Sequence, residues 1–254
     1  MPVTITQLYR YPVKGLSAEP IAQATLTKGE VIPGDRAYAI ENGTRDLDPE
    51  RPQYFPKTKF LMLMRDERLA TLETHFDDAT QTLTIRRAGK DVARGQLSTL
   101  LGRQLIEQFL AAYMKDELKG PPHIVHAPGF SFSDVPMKVV SIINGASLDD
   151  LSRVIGQKVH PLRFRGNVYL EGPEPWAERH WLGKTLAIGD ARLKVVMGIV
   201  RCAATNVNPE TGQRDMNIPR TLGTAFGENL FGVYAEVTSP GTIHTKDAVS
   251  VLEE

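Results

Sequence analysis

"RLKVVMGIVRCAATNVNPETG", residues 192–212, joins two unlike pieces of chain. Residues 192–200 are apolar and rich in branched side chains, which suit a pleated, half-buried strand. Asn208-Pro209-Glu210-Thr211-Gly212 reads as a turn. Proline fixes φ, glycine supplies positive φ, and an asparagine side chain mimics a backbone turn. Between strand and turn sits Cys202, the single cysteine of 254 residues. Such a cysteine is a buried hydrophobe, a nucleophile or one ligand of a metal, and the rest of the chain has to decide which.

Working outward, "VTITQLY" (3–9), "RAYAI" (36–40), "TLTIRR" (82–87), "KVVSII" (138–143), "NVYLEG" (167–172) and "FGVYAEV" (231–237) share the strand character. Turn signals such as "PGD" (33–35), "DDATQ" (77–81) and "IGDA" (188–191) separate them. Many short strands at this spacing predict a mainly β chain with a barrel-like closure and a few helices. One helix is predicted from Ser98, capped by it, with Leu101, Leu105, Phe109 and Ala112 on its apolar face. A second runs from a Ser147 cap through Leu148, Leu151 and Ile155 to Gly156. Residues 42–59 and 115–136 read as long polar, proline-rich loops, which are uncommon unless functional. The second marks a boundary between an N-terminal unit, 1–115, and a C-terminal unit, 116–254.

Composition removes several classes of function. Thirty basic and thirty acidic residues give a net charge of zero, with no basic excess to neutralise nucleic-acid phosphates. One cysteine excludes an internal disulfide, a CxxC pair and a cysteine-held zinc or iron–sulfur centre within this chain, and it fits a reducing compartment. There is no leader-like start and no apolar run near the roughly 20 residues that span a bilayer. The expectation is a soluble cytoplasmic protein with no membrane and no nucleic-acid partner. GxxxxGK[ST], GxGxxG and HExxH are absent, and His123 and His126 have no helical context for a metal. "GASLDD" (145–150) lacks the second glycine of a nucleophile elbow, so Ser147 reads as a helix cap.

Several polar positions stand beside the cysteine. "YRYPVKGLSAEP" (9–20) presents Lys14 and Gly15 in an expected exposed turn, where a lysine offers a point charge to a phosphate. "PGDRAYAI" (33–40) puts Arg36 at the start of a strand. "PLRFRGNVYLEG" (161–172) spaces Arg163 and Arg165 two apart, on one face of an extended chain, with Asn167 continuing that face. "FSDVP" (132–136) offers Asp134 in a loop. Arg201 precedes Cys202, a cationic neighbour of the kind that makes cysteines reactive.

Taken together, these stretches resemble the MOSC family, relatives of the C-terminal domain of molybdenum cofactor sulfurase. They are most similar to the amidoxime-reducing components, which pair an N-terminal β-barrel segment with the MOSC domain. The resemblance is carried by "YPVKGLSAEPIAQATLTKGEVIPGDRAYAI" (11–40), "FRGNVYLEG" (164–172), "WLGKTLAIGDARLKVVMGIVRCAATNVNPETG" (181–212) and "FGVYAEVTSPGTIHTKDAVSVL" (231–252). It implies a β-barrel MOSC domain plus a smaller N-terminal β-barrel-like segment. It also implies a molybdenum cofactor (molybdopterin), with Cys202 as the protein's ligand to the metal and the catalytic residue. Lys14, Gly15 and Arg36 then match the phosphate end, Asp134 the pterin, and Arg165, Asn167 and Arg201 the rest of the pocket. Soft thiolates suit such metals, and in-plane donors and acceptors suit a pterin. Gly15 stands where relatives often carry serine, which removes a hydroxyl contact, and Asn208 stands where an aspartate often precedes the proline. No lysine has a Schiff-base context, so pyridoxal phosphate is not expected. The implied function is reduction of small N-hydroxylated compounds. Electrons would come from separate partners, ferredoxin-like or cytochrome b5-like with a reductase. The alternative is a sulfur carrier or a cofactor carrier and transfer module using Cys202. An ordinary β domain with an inert buried cysteine is the third reading.

Overall fold

The computed structural model describes residues 2–43 and 45–253. Met1, where the leader reading starts, and Thr44, within the 42–59 loop, lie outside the described residues. In chain order the first part contains β1 (Val3–Arg10), β2 (Glu19–Ile21), β3 (Gln23–Leu26), β4 (Tyr38–Asn42), β5 (Glu73–Asp77), β6 (Thr82–Arg87), β7 (Lys90–Gln96) and α1 (Leu100–Tyr113). Then follow β8 (Pro122–His126), β9 (Val140–Asn144), α2 (Gly145–Ile155), β10 (Val168–Glu171), β11 (Thr185–Ile188), β12 (Ala191–Val200), α3 (Ile218–Phe226), β13 (Leu230–Ser239), β14 (Gly241–His244) and β15 (Ala248–Leu252). The chain is mostly β, as its short alternating strands predict.

Seven strands close on themselves in the order β10-β9-β13-β12-β11-β15-β1, with β1 pairing back onto β10 and β2 appended to β1. Only β9 and β10 run parallel within this ring. Closure leaves no exposed edge in the ring itself. Burial along β12 alternates over Ala191–Val195, so its inward residues Leu193 and Val195 join Ile5, Leu8, Ile142, Val168 and Val233 in one apolar cluster. The closing strand comes from the N-terminus: Thr4 faces Glu171 and Leu8 faces Val168, with a bulge between Ile5 and Gln7.

A second core lies beside the barrel. The β5-β6-β7 meander, the β4-β8 pair and α1 pack around Leu16, Leu61, Ile85, Ile106 and Leu110. β8 falls inside residues 115–136, read above as loop throughout. Its short "HIV" run follows two prolines, too brief a pattern to declare a strand, yet it pairs with β4 from Tyr38↔His126 to Asn42↔Pro122. The two sequence units share strands: β1 closes the barrel of the later unit, and β3 pairs with β14.

The helices correct two expectations. α1 is capped by Thr99, whose hydroxyl accepts from Gly102 N at 3.0 Å, rather than by Ser98. Its buried residues are Gly102, Ile106 and Leu110, while Leu101 and Leu105 face solvent at 66% and 46% exposure. Gly102 selects this face. A Cβ there would lie 2.1 Å from Gln96 O, so only glycine lets the helix settle onto β7. α2 is capped by Asn144, which accepts from Ala146 N at 3.0 Å, and ends at Gly156 with φ of 80°, as expected. Ser147 is buried, donating to Glu178 at 2.9 Å and accepting from Trp176 N at 2.7 Å. Among the described residues no helix is long and apolar enough to cross a membrane.

The assignment of the α1 face is checked by two substitutions. Ile106→Ala should cost about 2–5 kcal/mol of unfolding free energy. Leu101→Ala should change it by no more than about 0.5 kcal/mol. Urea denaturation followed by circular dichroism reads both, and equal losses would return the packed face to Leu101. Thr99→Ala should cost about 1 kcal/mol and Ser98→Ala almost nothing.

Candidate functional site

A cavity of about 310 Å³ opens beside the irregular end of β12, where the register with β13 shifts between Val195 and Met197 and again between Gly198 and Val200. All eight residues singled out from the sequence line it. They come from five segments: Lys14-Gly15, Arg36, Asp134, Arg165 with Asn167, and Arg201-Cys202.

Cys202 follows β12 in extended backbone, φ −117° and ψ 177°, and opens the 3-10 turn Ala203–Asn206. Its carbonyl accepts from Thr205 N at 3.1 Å and Thr205 Oγ1 at 2.9 Å. The expected turn follows: Asn208 Oδ1 accepts from Glu210 N at 2.9 Å, and Gly212 N donates to Asn208 O at 2.9 Å. The Cys202 side chain is half-buried, not sealed in the core.

Lys14 is buried, where the sequence predicted an exposed turn. Its Nζ donates to Phe132 O at 2.9 Å and forms an ion pair with Asp134. Burial pushes the Lys14 pKa down, against the pull of Asp134. Burial would raise the Asp134 carboxyl, but Lys14 and then Lys57 hold it well below the usual carboxylate range. Gly15 has φ of +86°, and a Cβ there would sit 2.8 Å from Leu61 O, so no other residue suits this bend.

Arg36 and Arg165 both adopt left-handed backbone, with φ of 52° and 50°. Neither stands in a strand. Residues Pro161–Phe164 form a 3-10 turn, initiated by proline and by His160 Nδ1 accepting from Leu162 N at 3.2 Å, and Arg165 caps it. The extended face drawn through Arg163, Arg165 and Asn167 is therefore replaced by a turn. The two guanidiniums lie 4.8 and 4.2 Å from the Tyr11 ring centre. Arg36 is ion-paired with Asp35 and donates to Arg165 O at 3.2 Å, while Arg165 donates to Leu16 O at 2.8 Å. Burial pushes the Tyr11 phenol up to about 12, although Arg165 and Arg36 oppose the shift.

Asn167 lines the cavity, but its amide is engaged elsewhere. Its Oδ1 accepts from Ser141 N at 3.1 Å and Ser141 Oγ at 2.7 Å, and its Nδ2 donates to Tyr9 O at 3.2 Å. It stitches β1, β9 and the start of β10. Arg201 donates to Phe231 O and Phe164 O, both at 2.8 Å, and lies 5.2 Å from the Phe164 ring centre. Burial pushes its pKa down.

Lys57, which nothing in the sequence singled out, lines the same cavity as Cys202. It begins a 3-10 turn in the 42–59 loop, with Nζ 3.7 Å from Asp134 Oδ2. Burial would lower its pKa, yet Asp134 and then Cys202 hold it above the ordinary lysine value. The length of that loop was the signal, but nothing in it separated Lys57 from its neighbours. Arg163 and Tyr234 also line the cavity. A bulky phenol on the non-core face of β13 is the trace that could have found Tyr234.

The wall thus holds six cations (Lys14, Arg36, Lys57, Arg163, Arg165 and Arg201) against two carboxylates, Asp35 and Asp134. Arg163 Nε, Arg165 Nη2 and Arg201 Nη2 are buried without hydrogen-bond partners. Buried polar atoms are normally satisfied, so three orphaned guanidinium nitrogens beside one cavity point to an acceptor-rich anionic ligand. Among the described residues no group of three or more His, Cys, Asp or Glu could hold a metal. A lone thiol can keep a metal only if the other ligands arrive with it.

Comparison with known proteins identifies the family. Residues 129–250 match the MOSC domain, and residues 2–117 match the MOSC N-terminal beta barrel domain. The chain is 34% identical to mitochondrial amidoxime-reducing component 1 of Mus musculus, over 98% of this chain and 82% of that protein. It is 27% identical to the Homo sapiens protein of the same name, over 98% and 83%. Identity to the molybdenum cofactor sulfurase of Homo sapiens is 21%, covering 94% of this chain and 31% of that longer protein. By these matches the chain belongs to the MOSC family, with a MOSC N-terminal β-barrel domain ahead of the MOSC domain proper.

Proposed function

We propose that this chain binds molybdenum cofactor through Cys202 and reduces small N-hydroxylated compounds. The observation that carries the reading is a cation-lined cavity with three orphaned guanidinium nitrogens and one half-buried thiol. The residues fit the group: a pterin dithiolene brings its own sulfur ligands, so a single protein thiol suffices. Cys202 would take the metal, and Lys14 and Arg36 the phosphate end. Arg165 Nη2 and Arg201 Nη2 would donate to pterin acceptors. When bound, the cofactor supplies a redox-active metal able to accept an oxygen atom.

The chain's own groups do the rest. Asp134 fixes the ammonium groups of Lys14 and Lys57. Tyr11, between two guanidiniums and with its hydroxyl donating to Gly166 O at 3.2 Å, keeps Arg36 and Arg165 in place. Reduction of N–OH to N–H consumes electrons and protons and releases water. The electrons would come from separate proteins, ferredoxin-like or cytochrome b5-like with a reductase, since the 254 residues carry a single cysteine and no cluster site of their own. The single cysteine also supports a reducing, cytoplasmic location. Resemblance to the sulfurase supports a second reading, in which Cys202 carries sulfur or hands on the cofactor.

Expression in cells that make the cofactor, followed by metal and pterin analysis, tests the proposal. Wild type should carry both, and Cys202→Ala should lose the metal while keeping its circular dichroism. Equally negligible metal in the two proteins defeats the reading. Sulfur carriage instead predicts cyanide-releasable sulfur on Cys202. Arg165→Met should weaken cofactor retention about 10–100-fold, the value of a charge-assisted hydrogen bond. Asn167→Ala should act through folding, costing about 1–3 kcal/mol in a denaturation experiment, because its amide closes the barrel.

A further inference from the structure

We propose that Lys57 is a charge filter at the rim of the Cys202 cavity, admitting neutral and anionic N-hydroxylated substrates to the sulfur and disfavouring cationic ones. The substrate class rests on the function proposed above; the filter itself needs no metal.

Three observations carry it. First, Lys57 is the rim cation. Its side chain keeps 29% of its surface open, against 7% for Lys14, 16% for Arg36 and 1% for Arg163. Among the deeper cations, Arg163, Arg165 and Arg201 carry the orphaned nitrogens, where an anionic ligand would take up charge. Second, Lys57 lines the same cavity as Cys202, so a molecule entering toward the sulfur meets the field of its ammonium group. Third, its charge is not cancelled locally. Asp134 faces two ammonium groups, Lys14 and Lys57, so pairing leaves one positive charge over.

The position is also held. Lys57 starts a 3-10 turn, and three residues earlier Tyr54 OH donates to Asp134 O at 3.0 Å, fastening the 42–59 loop to the loop that carries Asp134. A cleft lined by one sign of charge raises the local concentration of the opposite sign and lowers that of its own.

The test uses the full chain produced without cofactor and two methanethiosulfonate reagents that differ in charge, one bearing a sulfonate and one a trimethylammonium. Cys202 is the sole cysteine, so all label reports on it. Rates are normalised to those of a small free thiol. In wild type the anionic reagent should be favoured by about tenfold or more, within the range of electrostatic steering. Lys57→Met should reduce that preference to about threefold or less, and Lys57→Arg should retain it. Circular dichroism of both variants separates this effect from misfolding. A normalised wild-type ratio near unity, the same ratio in Lys57→Met, or no labelling by either reagent overturns the filter. Because metal content is measured separately, loss of the filter and loss of the cofactor reading give different results.

Discussion

Pairing of β1 with β10 is the constraint on which the rest depends. It closes the seven-stranded ring with the first strand of the chain, so the residues that follow β1 are delivered to the barrel's open end. Lys14 thereby meets Asp134, 120 residues away, and Arg165 reaches Leu16 O. Asn167 reinforces the closure by bonding to Ser141 and Tyr9 together. Loosening this seam would spread the charged wall before it touched the cysteine.

Assembling that wall opposes folding. Six cations around one small cavity repel one another, and burial disfavours the charged forms of Lys14, Arg165 and Arg201. The fold offsets this with Asp35, Asp134 and the face of Tyr11, yet leaves three guanidinium nitrogens without partners. Such a surplus is stable only where other packing holds it, and it is lowered when an anionic ligand arrives. Stability and function are opposed at this wall, as is common where a binding site is built before its ligand.

Much of the fold was legible. Strand alternation, turn residues and the Asn208–Gly212 turn follow from local rules, and the structure places them within a residue or two. The misses share a cause. α1 carries two adjacent apolar stripes, and the packed one is chosen by a glycine that allows close approach to β7. β8 is too short to declare itself and exists because β4 offers an edge. Arg165 looked extended because its spacing from Arg163 fits a strand, but Pro161 and the His160 cap wind that stretch into a turn.

The sequence by itself determined the mainly β character and the single thiol, which depend on local propensity and residue chemistry and do not need the rest of the chain. The set of basic and polar residues expected around that thiol came from the family resemblance, not from local rules. Only the tertiary structure decided that Lys14 is buried, that Asn167 serves the barrel seam, and that Lys57 shares the cavity of Cys202. Those placements join positions 26 to 145 apart, set by strand order and loop docking, and no local pattern encodes them.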